Sequence, residues 1–182
     1  MMPFEARPFM AREQLEAPLS EAYHRSDGPA MDTTERNRWF LGTLLRILAG
    51  GSDTGGQLAV MEQRARRGFS PPRHVHHCED TALLVLEGVI TAVVGEVRRG
   101  VGPDELIWLP RDVPHTFRVD SDAVRQLEFI TPAGFEGFHL DTSDAAPAVE
   151  IPPPAEPDIP RLLAAIAGYG AEIVGPPLGP SD

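Results

Sequence analysis

The sequence has one cysteine among its 182 residues, and this scarcity bears on where the protein works. A single cysteine cannot form an internal disulfide, which excludes the disulfide-bonded scaffolds of small secreted proteins. The amino-terminal stretch MMPFEARPFMAREQLEAPLS contains early acidic residues and no continuous apolar segment, unlike a signal peptide. Both observations predict a cytoplasmic protein.

Basic residues and long apolar runs are also scarce. The chain has 16 Lys and Arg residues against 27 Asp and Glu residues, for a formal net charge of −11 at pH 7. Phosphate backbones bind to concentrated positive charge, so we expect no nucleic-acid partner. No window approaches the roughly 20 apolar residues of a membrane helix, so we expect no membrane partner. With 42% apolar residues, the length predicts one folded domain with a single core.

Short apolar runs separated by Gly, Pro and Asp fill the middle of the chain. This pattern is typical of an all-β sandwich or barrel. The runs predicted to be strands are WFLGTLLRILAG, GQLAVMEQRAR, TALLVLEG, ITAVVGE, ELIWLP, HTFRVD and VRQLEFIT. We therefore place a β-barrel at residues 36–142.

The segments on either side of this barrel have other compositions. Residues 1–35 are charged and without clear periodicity, which predicts an extended arm. Residues 143–157 are rich in proline, which predicts a surface linker. Residues 158–182 begin with an N-cap at Asp158 and Pro160 in the first turn, which predicts a short helix followed by a tail. We expect this helix to pack on the barrel wall.

The segment HVHHCEDT, residues 74–81, concentrates polar side chains. Side chains at positions i and i+2 of a strand share one face, so His74 and His76 project together and His77 points elsewhere. His115 opens a later strand, and it completes a set of three imidazoles if the two strands are neighbours. Neutral imidazole binds Fe, Ni, Mn, Cu and Zn, so the pattern predicts a divalent transition metal without identifying it.

Two stretches of the chain match known motifs. GFSPPRHVHHCEDTALLVLEG, from Gly68 to Gly88, resembles the first cupin motif, Gly-x5-His-x-His-x4-Glu-x6-Gly. DELIWLPRDVPHTFRV resembles the second, Gly-x5-Pro-x-Gly-x2-His-x3-Asn, with Pro110 and His115 in register. The segments TPAGFEGF and YGAEIVGPP are similar to single-domain bacterial cupins of the quercetin-dioxygenase-like kind. The resemblance implies a double-stranded β-helix, or jelly-roll barrel, whose cavity holds one mononuclear metal on the three histidines.

The chain departs from these motifs at four positions. Thr81 replaces the acidic metal ligand, which leaves the site one carboxylate short. Asp104 and Asp112 replace two glycines, and Asp tolerates left-handed turn conformations better than most residues. Val119 replaces the final Asn. Glu79 has the strand alternation to enter the site instead, but we expect it to lie in the turn between two strands.

A second polar feature lies in the last predicted strand. Gln126 and Glu128 alternate there with apolar residues, so one face of the strand carries an amide and a carboxylate. If this face lines the cavity, Glu128 is a candidate general acid or base, or a replacement ligand. If the face is exposed, Glu128 is a solvated surface charge. No role is predicted for His24 or His139, which lie outside both motifs.

Two classes of function fit these residues. The first is a metal-dependent small-molecule enzyme, such as a dioxygenase or related oxidoreductase acting on an aromatic, enol or polyketide-like compound, with Thr81 and Glu128 as candidate catalytic residues. The second is a metal-independent or Lewis-acid cyclase or isomerase of a natural-product intermediate, or a non-catalytic binding cupin, and Thr81 favours this class. The first class is our prediction. Because cupins cover exposed barrel edges by subunit pairing, we also expect a homodimer.

Overall fold

The structure, a computed structural model, describes residues 36–154, 156 and 158–180. The arm predicted at residues 1–35 lies outside the described residues. Within the described part of the chain, the strands are β1 Asn37–Phe40, β2 Thr43–Ala49, β3 Ala59–Arg66, β4 Arg73–His76, β5 Asp80–Glu87, β6 Ile90–Val94, β7 Val97–Val101, β8 Leu106–Leu109, β9 His115–Val119, β10 Ala123–Thr131, β11 Asp144–Ala145 and β12 Ala171–Gly175. The helices are α1 Gly51–Thr54, α2 Glu136–Thr142 and α3 Ile159–Ile166, which continues into a 3₁₀ turn at Ala167–Tyr169.

The strands form two antiparallel sheets. One sheet has the order β11-β1-β2-β3-β10-β5-β8 and the other has the order β12-β4-β9-β6-β7. From β3 to β10 the chain passes repeatedly from one sheet to the other, so that both sheets are built from interleaved parts of the sequence. The all-β barrel predicted from the alternating apolar pattern is confirmed.

The interior of the barrel contains two hydrophobic clusters. Val124 near the start of β10 belongs to a cluster that joins both sheets through residues such as Leu83, Ile90 and Val119. Ile130 near the end of β10 belongs to a second cluster, which β1 to β3 share with α2 and α3. Six residues of strand separate the two, or roughly 20 Å. The two helices therefore close one end of the barrel, and the stretch of β10 between the clusters crosses the interior.

The first predicted strand is in fact two strands. Leu41 and Gly42 form a two-residue turn in which both residues have positive φ, at 49° and 77°. Phe40 and Thr43 are paired on either side of this turn. Turns with positive φ at both central residues match the twist of a hairpin, so the chain reverses here instead of running straight. Gly42 and Thr43 interrupt the apolar run WFLGTLLRILAG, and this interruption marks the reversal.

The carboxyl-terminal part contains a strand as well as the predicted helix. Asp158 accepts a hydrogen bond at 3.1 Å from the backbone N–H of Arg161, so it caps α3 as predicted. Beyond the helix, β12 pairs with β4, with Ala171 opposite His76. Sequence analysis predicted only a tail here. None of the described helices is long and apolar enough to cross a bilayer, and the boundaries of the Pro-rich linker stay a prediction.

Three turns explain residues of the two motifs. Asp104 and Asp112 have φ of 63° and 62°, so both aspartates adopt the left-handed conformation that the sequence analysis expected of them. Gly88 has φ of 87°, and a Cβ atom there would lie 2.3 Å from the carbonyl oxygen of Ala123. The final glycine of the first motif is therefore required by both backbone conformation and close approach.

Candidate metal centre

The structure brings His74, His76 and His115 together. His74 and His76 share a face of β4, and His115 on β9 is paired directly opposite His74. One candidate ligand atom from each residue lies within 4.8 Å of the others. The ring centroids are 4.6 to 5.2 Å apart. His76 and His115 are buried and His74 is partly exposed. The three imidazoles therefore surround one point inside the barrel, and the rest of the site is built around that point.

Each of the three rings is oriented by a hydrogen bond at Nδ1. His74 donates to the carbonyl oxygen of Pro72 at 2.7 Å, and His115 donates to that of Val113 at 2.9 Å. His76 donates to the carboxylate of Glu79. Because every Nδ1 faces an acceptor, each ring carries its proton there and presents the Nε2 lone pair as the free ligand atom.

Burial keeps His74 and His115 neutral. Burial and the neighbouring imidazoles together lower the pKa of His74 to about 3, although the hydrogen bond to Pro72 acts to raise it. Burial and the proximity of His76 lower the pKa of His115 to about 4. Both rings are therefore unprotonated on Nε2 at neutral pH, and a cation binding there has no proton to displace.

Glu79 lies in the turn between β4 and β5, as expected, but its side chain points inward. Only 4% of the residue is exposed, and its carboxylate accepts the Nδ1–H of His76. A carboxylate behind a ligating histidine fixes the orientation of the ring and raises its basicity. The acidic group that is missing at position 81 is thus present behind His76.

Thr81, at the position where the motif has an acid, is buried. It is 1% exposed, and it faces the interior with Leu83 and Val85 on the same side of β5. Its Oγ1 has no hydrogen-bond partner among the described residues. A buried hydroxyl without a partner is unfavourable, so this oxygen is available to a ligand or to water in the cavity.

Glu128 faces the cavity and not the solvent. It shares one side of β10 with Val124, Gln126 and Ile130, which are 2%, 0% and 0% exposed. Burial raises the pKa of its carboxyl to about 7, with His76 opposing and Glu79 adding to this shift. A carboxyl with this pKa exchanges a proton near neutral pH, which is the property of a general acid or base.

A cleft opens beside His74 at the helical end of the barrel. It encloses about 80 Å³ and opens to solvent, so it is smaller than a typical small-molecule site and would hold only part of a bound molecule. Phe, Leu, Ile and Pro side chains make up its walls, and the polar side chains that line it are His74 and His139. Sequence analysis missed His139. Its signal was the spacing of Phe135, Phe138 and His139, which places all three on one side of α2.

His77 and Cys78 lie outside this centre. Both are exposed. His77 donates to Asp112 at 2.7 Å, and this bond raises the pKa of His77. His77 therefore points away from His74 and His76, as strand alternation predicts.

Comparison with known proteins agrees with the fold and the position of the site. Residues 61–131, which include β4, β5 and β9, match the family described as the Cupin domain. The matched residues include His74, His76 and His115. The chain is also similar to quercetin 2,3-dioxygenase of Bacillus subtilis strain 168, with 25% identity over 138 residues. This match covers 74% of the chain and 41% of the relative, so the chain spans less than half of the relative's length.

Two solved structures are similar in fold over about half of the chain. KdgF from a Halomonas species has 17% identity and a TM-score of 0.49, over 53% of this chain and 84% of that chain. A sugar phosphate isomerase from Silicibacter pomeroyi has 22% identity and a TM-score of 0.47, over 57% of this chain and 75% of that chain.

Proposed function

We propose that the protein is a metal-dependent enzyme, a dioxygenase or related oxidoreductase, that acts on a small aromatic, enol or polyketide-like compound. The observation that carries this proposal is the convergence of three imidazoles, each with a hydrogen-bond acceptor at Nδ1. The residues that would hold the metal are His74, His76 and His115. Imidazole nitrogens suit Fe, Ni, Mn, Cu and Zn, so the donor set limits the metal to this group.

The surrounding residues fit a divalent cation although Thr81 is not acidic. Three nitrogen ligands leave the full positive charge of the ion uncompensated. Glu79 supplies negative charge through its hydrogen bond to His76, and Glu128 supplies a second carboxyl close to the same ring. The free hydroxyl of Thr81 is a partner for water or substrate oxygen at the open side of the centre.

The chemistry divides between the metal and the protein. A metal on three neutral nitrogens would keep open positions for a chelating substrate and O2 and would supply Lewis acidity. Glu128 would accept the proton of a substrate hydroxyl, because its raised pKa matches neutral pH. The apolar cleft beside His74 would hold the body of the substrate and exclude water from the reacting atoms.

Elemental analysis of the purified protein tests this proposal. We expect about one transition metal per chain, and we expect His74→Ala, His76→Ala and His115→Ala each to lose most of it. His77→Ala is the matched control, since His77 is an exposed neighbour on the same segment, and it should keep its metal. Metal content that is unaffected by the three substitutions would contradict the proposal.

Oxygen consumption with candidate substrates tests the reaction. Quercetin is the first compound to assay, because the curated relative is named for its oxidation. We expect metal-dependent oxygen uptake with a compound that carries adjacent hydroxyl and carbonyl or enol oxygens. Glu128→Gln should lower kcat, because the amide cannot accept the proton, while metal content stays unchanged.

A second candidate function is a metal-independent cyclase or isomerase of a natural-product intermediate, or a binding protein. Thr81 at the acidic position and Glu128 with a pKa of about 7 favour it, since a carboxyl of this kind moves protons without a metal. Turnover that survives complete removal of metal and disappears in Glu128→Gln would support this candidate over the first.

We also propose that the protein is a cytoplasmic homodimer. The single cysteine supports a reducing compartment. Among the described strands, β8 ends one sheet and exposes Leu106 and Trp108, which are 47% and 50% accessible, and a second copy would cover this edge. Light scattering should give twice the 19.8 kDa of one chain, whereas a mass of 19.8 kDa would contradict the dimer.

A further inference from the structure

His139 is a buried imidazole without hydrogen bonds. It is 8% exposed, and neither Nδ1 nor Nε2 has a partner among the described residues. Its nearest aromatic neighbours are Phe40, Phe135 and Phe138, with ring centroids at 4.8, 5.4 and 5.5 Å. A fourth aromatic hydrocarbon side chain would fill this place without leaving polar atoms unsatisfied. The cost of desolvating two ring nitrogens is therefore not explained by packing.

The charge state of His139 defines what it is able to bind. Burial, with a smaller effect from the proximity of His76, lowers its pKa to about 3. A neutral imidazole has one N–H donor and one lone-pair acceptor. Carboxylates and phosphates bind best to positively charged groups. A neutral imidazole is therefore a better match for a hydroxyl or carbonyl oxygen.

The position of His139 connects it to the metal centre. It lines the same cleft as His74, so a molecule in the cleft lies against both imidazoles. Both ring nitrogens of His139 are buried, so a ligand oxygen reaches one of them when the ring turns toward the cleft. The remaining walls are apolar and come mainly from β1, α2, α3 and β12, with Phe40 and Phe138 presenting aromatic rings. The cleft thus combines flat apolar surfaces with a single polar side chain away from the three-histidine cluster.

We propose that His139 selects the substrate by hydrogen bonding to a hydroxyl or carbonyl oxygen of a flat, otherwise apolar molecule that lies in the cleft next to His74. His139 is a specificity-determining residue in this account and not a metal ligand. The proposal deepens the proposed function and rests on it for the identity of the cleft as the substrate site. The substrate class is an aromatic or fused-ring compound with an oxygen substituent on the ring remote from the metal.

A matched pair of small probes tests the proposal on the full chain. 2-Naphthol and 2-methylnaphthalene have nearly the same shape and differ in a hydroxyl against a methyl group. We expect the wild-type protein to bind 2-naphthol about tenfold more tightly in a titration, the scale of one hydrogen bond to a buried polar group. His139→Phe should bind both probes with similar affinity. His77→Phe, which changes an exposed histidine, should keep the preference.

Further measurements separate this proposal from failure of the metal proposal. The titrations are made before and after removal of metal by a chelator, and the tenfold preference is expected in both states. His139→Phe is expected to retain its metal content and to have an unchanged or higher Tm. If this variant does not fold, His139→Gln replaces it and should keep part of the preference, and the ¹⁵N shifts of the wild-type His139 ring should move when 2-naphthol is added.

Three results would overturn the assignment of His139. The first is a preference for 2-naphthol that persists in His139→Phe. The second is loss of metal from His139→Phe, which would make His139 part of the metal centre. The third is absence of binding of either probe to the wild-type protein. Loss of metal from the three-histidine variants alone leaves the assignment of His139 standing and tests only the metal centre.

Discussion

The first cupin motif has one acidic metal ligand, and two residues of this chain replace it in part. Thr81 has its position, and Glu79 has its charge. Thr81 occupies the position of that acid but offers only a neutral oxygen, and Glu79 acts through the Nδ1–H of His76. A carboxylate in this place strengthens the ligand instead of contacting the ion. In the proposed centre, the acidic partner would stand behind His76, and the position of the motif's acid would be open to small molecules.

Replacement of Glu79 measures this indirect contribution. Glu79→Gln keeps the shape of the side chain but removes its charge, so we expect metal affinity to fall by about 10- to 100-fold. Titration against a chelator of known affinity gives the value. Glu96→Gln, at a fully exposed glutamate, is the control and should bind metal like the wild type. Equal affinity of Glu79→Gln and the wild type would show that the carboxylate does not act on the metal through His76.

Two substitutions of Thr81 test its distance from the metal. Thr81→Glu places a carboxylate at the motif position, and we expect it to tighten metal binding. Thr81→Val removes a hydroxyl that has no partner among the described residues, so stability should be unchanged or should rise by about 1 kcal/mol. Unchanged metal affinity in Thr81→Glu, measured by the same titration, would place Thr81 beyond reach of the ion.

The turn at Asp104 gives a prediction about backbone strain. Asp104 is exposed and has φ of 63°. An alanine is strained in this conformation and a glycine is not, so Asp104→Ala should be less stable than Asp104→Gly by about 1 kcal/mol. Urea unfolding of both variants measures the difference. Equal stability would mean that the turn relaxes in the variants.

At the scale of elements, neighbouring strands are held by a charged cluster outside the core as well as by the core itself. Glu62 on β3 is 3% exposed and accepts from Arg64 at 2.7 Å and from Arg125 of β10 at 3.3 Å. Arg46 of β2 lies 3.6 Å away. One carboxylate thus joins three adjacent strands of the larger sheet. Burial acts to raise the pKa of Glu62, but the bonds from Arg125 and Arg64 outweigh it and lower the pKa.

Glu62→Gln should destabilise the protein by about 2 kcal/mol at pH 7, because it leaves a buried network short of a charge. The folded-state pKa is lower than the usual 4.5, so this stabilisation is fully present above pH 4.5 and is lost as the pH falls through the folded-state value. Urea unfolding at pH 7 and pH 4 should therefore show a smaller difference at pH 4. Glu150→Gln, at an exposed glutamate, is the control. A difference that grows on acidification would contradict the assignment.

The elements that sequence analysis missed share a physical cause. The hairpin at Leu41 and Gly42 places a leucine at positive φ, which intrinsic preference disfavours and only the tertiary fold stabilises. Strand β12 is short and largely exposed, so its sequence AEIVG lacks a clear alternation. Its partner β4 lies almost 100 residues earlier, and no local pattern encodes such a pairing. By contrast, β5 and β10 contain short apolar runs bounded by turn residues, and this local pattern predicted both strands.

At the scale of the whole molecule, pairing between distant strands creates the site. The spacing of His74 and His76 follows from strand geometry alone, whereas their meeting with His115 depends on the β4–β9 pair and was predicted through the second motif. Glu79 and Thr81 were identified as positions of interest, but whether a turn residue points inward depends on the packing around it. His139 lies at the cleft because α2 folds back over the end of the barrel. The sequence around His139 does not predict this packing.

The most direct test of the three-histidine centre is anomalous diffraction from crystals of the metal-loaded protein, recorded at the absorption edge of the metal found by elemental analysis. We predict a single strong peak inside the barrel, about 2.0 to 2.2 Å from the Nε2 atoms of His74, His76 and His115. A loaded crystal without a peak between these atoms, or with the metal bound at the exposed His77 instead, would contradict the account.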